Sequence, residues 1–239
     1  MKTTQWCAGH YTDTGLKRSL NQDAVFSGSA QQLWGVADGM GGHESGDYAS
    51  QLVVDRLADY RHARLPGACV HQLRSLMADC NQRLIDKARQ EQADVIGCTV
   101  ALLSFHGTHV TCSWSGDSRI YRLRGQRLLL LTRDHNLRSI IEDRDVQRFP
   151  NMKECDQESL TSAIGGDGTL HLEHCLYTLQ QNDRFLLCTD GLCKELSDDD
   201  IRDTLVAEKQ VIDVVERMAT TYHERGARDN VGMVLVQNT

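Results

Sequence analysis

The sequence predicts an α+β fold in which antiparallel sheets carry helix pairs on their outer faces. Three observations predict it. Strand-like runs come first, then two helical stretches, then many strands, two more helical stretches and a last strand. Short turns join the strands, so antiparallel hairpins dominate and a doubly wound parallel sheet does not fit. No Pro-, Gly- or Ser-rich linker and no repeat divides the 239 residues, so 1–239 reads as one domain.

The first strand runs, 5–11, 24–27 and 33–37, alternate apolar and polar residues. Tyr48, Leu52, Val53, Leu57 and Tyr60 then recur at helical spacing, as do Val70, Leu73, Met77, Cys80, Leu84 and Ala88. Pro66-Gly67 is the expected break between the two helices. Runs 99–105 and 110–114 flank a turn expected at His106-Gly107, and runs 120–123 and 127–131 flank Arg124-Gly125-Gln126. The charged stretch 133–160 is weakly periodic and reads as a surface excursion with room for a short helix. Strand character resumes over 170–179 and 184–189. Ser197 with Asp200 resembles a capping box opening a helix. Val211, Val214, Val215 and Met218 mark the next helix, and 231–236 closes the chain as a strand.

Composition narrows the function. Hydrophobic residues at 40% and charged residues at 25% are the balance of a globular protein and not of a disordered one. The net charge is −7 with no Lys/Arg cluster, so nucleic-acid binding is not expected. No apolar run approaches the ~20 residues of a membrane span, and none follows Lys2 as in a secretory signal. The nine Cys form no C-x-x-C pair, so they read as reduced thiols of a cytoplasmic protein with no structural zinc.

Five aspartates stand at the ends of apolar runs beside turn-forming residues: Asp23, Asp38, Asp117, Asp190 and Asp229. Any one of them alone reads as a plain turn, because Asp caps its own backbone and Gly accepts positive φ. Asp167-Gly168 is left as such a turn. Together the five read differently, since carboxylates from neighbouring strand ends can converge on one point. Unpaired, they would raise one another's pKa. Oxygen-only ligands suit Mg²⁺ or Mn²⁺. Two such ions about 3.5–4 Å apart activate water and steady the leaving oxygen in phosphoryl transfer. Arg18, five residues before Asp23, reads equally as a solvated surface residue and as a fork for phosphate oxygens.

Five motifs occur in order: 15–23 (GLKRSLNQD), 38–43 (DGMGGH), 116–119 (GDSR), 187–192 (LCTDGL) and 229–231 (DNV). With them the chain closely resembles the metal-dependent type 2C serine/threonine protein phosphatases in their compact bacterial form, over about residues 9–236. The resemblance implies a four-layer αββα sandwich: two antiparallel β-sheets flanked by antiparallel helix pairs. It implies Asp38 as the carboxylate bridging two Mn²⁺ or Mg²⁺ ions, with the Gly39 carbonyl as a further ligand. Asp190 and Asp229 would bind one of the ions, and Asp23 would hold metal-bound water. Asp117 with Asp190 would bind a weaker third ion, and Arg18 would clamp phosphate. Asn230 would orient its neighbour or a water. Asp38, Asp190 and Asp229 are thus the catalytic candidates. The implied reaction is in-line attack by metal-activated water on phosphoserine or phosphothreonine of a protein, without a phosphoenzyme. It would reverse an opposing kinase, and the chain is expected to act as a monomer.

Two departures stand out. Met40 occupies a position where many relatives carry a His that is a candidate general acid. Gln22 stands where the family often has Glu. His43 reads as a surface residue, and 133–159 corresponds to the family's variable flap. His171 and His174 would point to opposite faces of a strand and so share no metal. No cysteine-phosphatase loop (C-x5-R), G-x-S-x-G elbow, Walker loop or H-E-x-x-H occurs. The alternatives are a catalytically silent phosphoprotein-binding or sensor module on the same fold, and an esterase for phosphorylated metabolites. A silent module usually loses one or more of the carboxylates, and here all five are present.

Overall fold

Alternating apolar residues on the central strands turn one set of side chains toward a second sheet and the other toward helices. The computed structural model describes residues 6–41, 45–143, 157–166 and 168–238. The first half contains β1 (Trp6–Asp13), β2 (Asp23–Gly28), β3 (Leu33–Met40), α1 (Ser45–Leu57) and α2 (Pro66–Glu91). Four strands follow: β4 (Gly97–His106), β5 (His109–Ser115), β6 (Arg119–Arg124) and β7 (Arg127–Leu130). Then come α3 (Leu137–Asp143), β8 (Glu173–Thr178) and β9 (Arg184–Cys188). The chain ends with α4 (Asp190–Glu195), α5 (Asp198–Ala207), α6 (Val211–Glu224) and β10 (Val231–Asn238).

The strands form two five-stranded sheets, ordered β1-β10-β9-β6-β7 and β2-β3-β4-β5-β8. Every strand pairing is antiparallel. The layers follow from side-chain alternation. On β9, Phe185 and Leu187 enter the core between the sheets, while Leu186 and Cys188 face α4, α5 and α6. On β4, Ala101, Leu103 and Phe105 enter the same central core, while Cys98, Val100 and Leu102 meet α1 and α2. All ten residues of β4 are buried, as a strand covered on both faces requires. The result is the expected αββα sandwich.

Several expectations move. Pro66 does not separate two helices but opens α2 at its first turn, where a missing N–H costs nothing. Tyr60 lies beyond α1, buried, with its hydroxyl near Ser104 Oγ at 3.3 Å. β4 runs through His106, so the hairpin turn is Gly107-Thr108, with Gly107 at φ 59°. The run 170–179 is a strand only over Glu173–Thr178, the part that pairs with β5. The sequence reading missed α4, six residues long and too short to show a helical period. The Ser197 capping box is present: Ser197 Oγ accepts from Asp200 N at 3.2 Å, and Asp200 Oδ2 accepts from Ser197 N at 2.8 Å.

The antiparallel order brings one set of strand ends together. β2 begins where β3 ends, β9 ends near the start of β10, and the Gly116-Asp117 loop follows β5. The five aspartates sit at this end. His43 and Asp167 lie outside the described residues.

Candidate metal and phosphate site

Register places the first two acids. Asp23 and Asp38 are direct partners across β2 and β3. Thr189, at the end of β9, donates its hydroxyl to Asp23 Oδ2 at 2.7 Å. The other oxygen, Asp23 Oδ1, is buried with no hydrogen-bond partner. Burial raises the Asp23 pKa to about 7, with Asp190 and Asp229 adding to the rise. Asp38 is pushed well above the usual carboxylate range by desolvation first, then by Asp23, Asp190 and Asp117. Asp117 is pushed up to about 7 by burial, then by Asp190 and Asp134. Asp23, Asp38 and Asp117 therefore each feel the charge of neighbouring acids, Asp190 among them.

Asp229 differs. Burial acts to raise its pKa, but Lys194 and Arg18 overcome that and hold it below the usual value. Arg18 Nε lies 2.7 Å from Asp229 Oδ1, and Lys194 Nζ lies 2.6 Å from Asp229 Oδ2. Lys194 Nζ also lies 2.5 Å from Asp190 Oδ2. Lys194 is a site residue the sequence reading missed. Its signal is the i,i+4 spacing from Asp190, which is meaningful only once residues 190–195 are known to be helical.

The loops around the site are fastened. Asn230 Nδ2 donates to Thr14 O at 2.8 Å and Leu20 O at 2.9 Å, and its Oδ1 accepts from Gln22 N at 3.0 Å. The Asn230 side chain thus anchors the loop that carries Arg18. Gly39 N donates to Gln22 O at 2.9 Å, and a Cβ on Gly39 would lie 1.8 Å from Gly46 O. Only glycine lets the backbone of β3 approach α1 so closely. His135, also missed from sequence, grips the Asp117 loop twice. Its backbone N–H donates to Gly116 O at 2.9 Å, and its Nδ1 accepts from Gly116 N at 3.2 Å.

His135, His171 and Glu173 also approach one another, with His135 Nε2 3.4 Å from Glu173 Oε1. Because His135 Nδ1 accepts the Gly116 N–H, the neutral ring carries its proton on Nε2. That nitrogen faces Glu173 without a hydrogen bond to it and has no lone pair for a metal. His171 precedes β8, contrary to the strand expected from the sequence, and His174 lies within it against Ser113 Oγ at 2.8 Å.

Asp38, Asp117, Asp190 and Lys194 line a cavity of 620 Å³, together with Met40 and Leu160. Met40 therefore borders the acid cluster. The flap begins and ends here: Leu137 N donates to Ser159 O at 3.0 Å, and Thr161 N donates to His135 O at 2.8 Å.

Comparison with known proteins follows the same line. A sequence model of the protein phosphatase 2C family matches residues 16–235. The chain belongs to the protein phosphatase 2C family. It is a protein phosphatase by that membership. A serine/threonine phosphatase of Listeria welshimeri is 28% identical over 235 residues, 95% of this chain and 93% of its own length. PppA, described as a regulatory component of type VI secretion in Pseudomonas aeruginosa, superposes with a TM-score of 0.90. It is 35% identical, and the match covers 98% of each chain. The catalytic domain of the phosphatase PstP with two manganese ions superposes with a TM-score of 0.87 at 28% identity. That match covers 99% of this chain and 100% of PstP's domain. No helix among the described residues is long and apolar enough to cross a membrane.

The raised pKa values give the cluster a pH signature. A carboxyl raised in the folded protein favours folding while it stays protonated. That contribution is complete below the ordinary carboxylate pKa of ~4 and is lost as pH rises through ~7. Divalent ions need the deprotonated groups, so they gain hold as the protons leave. The Mn²⁺-induced rise in Tm should be larger at pH ~8 than at pH ~6. Thermal melts with and without Mn²⁺ measure it, and an equal rise at both values contradicts the reading.

Proposed function

We propose that the chain hydrolyses phosphoserine and phosphothreonine in proteins, with Asp23, Asp38, Asp117, Asp190, Asp229 and the Gly39 carbonyl holding Mn²⁺ or Mg²⁺. The buried, unpartnered Asp23 Oδ1 carries this reading, beside the carboxyls Asp38 and Asp117, whose pKa values burial raises. Hard oxygen donors with excess negative charge fit a hard divalent cation. When bound, such ions supply an activated water and neutralise charge on the phosphoryl group.

The chain's own groups do the rest. Asp38, Asp190 and Asp229 set the positions of the ions, and Thr189 and Asn230 fix the elements that carry them. Arg18 holds Asp229 through Nε, and its side chain is more than half exposed, so its remaining N–H donors are available to phosphate oxygens. The weaker third ion would use Asp117 and Asp190. Lys194 already places an ammonium against Asp190, so it competes for that position. The described ends of the expected flap border the cavity through Asp134 and Glu158, and residues 144–156 lie outside the described residues. We read the whole chain as one catalytic domain, acting as a monomer in the cytoplasm against a serine/threonine kinase. The thiols seen in the described residues are free, which suits a reducing compartment. A catalytically silent module is not favoured, because all five carboxylates are present and Asp23, Asp38 and Asp117 feel the charge of neighbouring acids.

A phosphothreonine peptide should lose phosphate with Mn²⁺ and not with a chelator. Asp38→Asn should lower turnover by about a hundredfold or more and weaken Mn²⁺ binding in calorimetry. Full activity in chelator-treated protein excludes the mechanism.

Lys194→Ala removes the competing ammonium. It should raise Mn²⁺ affinity or stoichiometry at the weakest site by about tenfold, read by calorimetry. Unchanged binding would place Lys194 outside the metal competition.

Met40 cannot donate a proton, and acid catalysis matters most for a poor leaving group such as serine alkoxide. Met40→His should raise peptide turnover relative to nitrophenyl phosphate turnover by about tenfold. A constant ratio of the two rates across wild type and variant excludes position 40 as the place for an acid.

A further inference from the structure

Two cysteines flank the Asp190 motif, and the phosphatase chemistry uses neither. Cys188 is the last residue of β9 and is fully buried. Cys193 lies in α4, is half-buried and lines the same cavity as Asp38 and Asp190. Their sulfurs are 3.7 Å apart, in contact and unbonded. Both are packed on the side of the sheet that faces the helices. A disulfide needs about 2.05 Å between sulfurs, so the pair is one small approach from bonding. Cavity access through Cys193 and burial of Cys188 define an attacking and a resolving thiol.

We propose that Cys188 and Cys193 are a peroxide-oxidisable pair whose disulfide lowers phosphatase turnover. The Cys193 sulfur attacks one oxygen of hydrogen peroxide or an alkyl hydroperoxide. The O–O bond breaks, an S–O bond forms, and the other oxygen leaves as water or alcohol with the thiol proton. The Cys188 sulfur then attacks the Cys193 sulfur, the S–O bond breaks, and water leaves with the second thiol proton. Two thiols lose two electrons and one peroxide gains them. A thiol reductant reverses the bond.

The surroundings support this order. The Cys188 thiol lowers the Cys193 pKa, burial works against it, and the Arg119 guanidinium adds to the lowering. Arg119 is held in place by Asp134, with Nη2 2.7 Å from Oδ2. Cys193 is therefore the better nucleophile of the two.

The consequence follows from the short loop between the sulfurs. It contains Thr189, which holds Asp23, and Asp190 itself. Lys194 follows Cys193 directly. On the other side of α4, a Cβ on Gly191 would lie 1.8 Å from Asn230 O, so the helix has no slack there. Drawing Cys193 toward Cys188 therefore shifts Asp190 and Lys194 relative to Asp38 and Asp229. Displaced ligand supports typically cost 10–100-fold in metal affinity or activity.

The test uses the Mn²⁺-loaded 239-residue chain treated with hydrogen peroxide, followed by thiol blocking and peptide mapping without reduction. The expected result is a cross-link between Cys188 and Cys193, with a loss of kcat/KM on a phosphothreonine peptide of about tenfold or more, restored by dithiothreitol. Cys193→Ser should keep its activity before peroxide and resist the loss after it. Cys188→Ala should trap Cys193 as a sulfenic acid, detectable with a dimedone probe, and should Cys188→Ala not fold, Cys193→Ser carries the test alone. A cross-link mapped instead to Cys112 and Cys175, which face each other across β5 and β8, overturns the assignment. So does an activity loss of equal size in Cys193→Ser. The mapping needs no phosphatase activity, so it stands or fails apart from the functional reading.

Discussion

Pairing Asp23 with Asp38 across two adjacent strands puts two carboxylates side by side in a desolvated corner, and most of the surrounding architecture answers to that placement. Asp117 and Asp190 add charge to the same corner. Burial there disfavours the ionised groups and drives the pKa values of Asp23, Asp38 and Asp117 up. Such a cluster is costly to a fold unless cations compensate it. The protein supplies two of its own, Arg18 and Lys194, and both fall on Asp229. Asp23, Asp38 and Asp117 are left without a direct cationic partner among the contacts described, and this asymmetry is what the proposed divalent ions would compensate.

The sandwich is what makes the corner rigid. Thr189, Asn230 and His135 each tie an acid-bearing loop to a neighbour. The glycines at 39 and 191 let backbones approach more closely than any side chain would permit. α4 stands out because it carries Asp190, Cys193 and Lys194 within five residues. The proposed metal ligand Asp190, the cation Lys194 and the thiol Cys193 therefore share one short helix.

The long periodic elements were legible from residue order. α2 and α6 showed their apolar stripes, and the strands of the two hairpins β4–β5 and β6–β7 showed themselves as apolar runs around turns. The Ser197 cap was legible because its donor and acceptor lie three residues apart. α4 was not, because six residues hold less than two turns and Asp-Gly at its start reads as a turn. The strand expected over 170–179 was too long, because only its later residues find a pairing partner in β5. Hydrogen-bond pairing, absent from a linear pattern, decides where a strand begins.

The five aspartates and Arg18 were determined as site candidates by sequence, since each sits in a local motif whose residue types suit metal and phosphate. The sequence by itself also determined the order of strands and helices, and hence the class of fold. Tertiary structure decided which groups share charge. Lys194 became a partner of Asp229, 35 residues away, only because α4 and the start of β10 meet at one end of the sheets. His135 became a clamp on Gly116 only through a loop that folds back over the site. Cys188 and Cys193 came into contact only because a strand end and a helix turn their side chains toward the same layer. Local patterns report on backbone preference and on one face of one element. Electrostatic coupling and sulfur–sulfur contact depend on distances of a few ångströms between elements, which are settled when those elements pack.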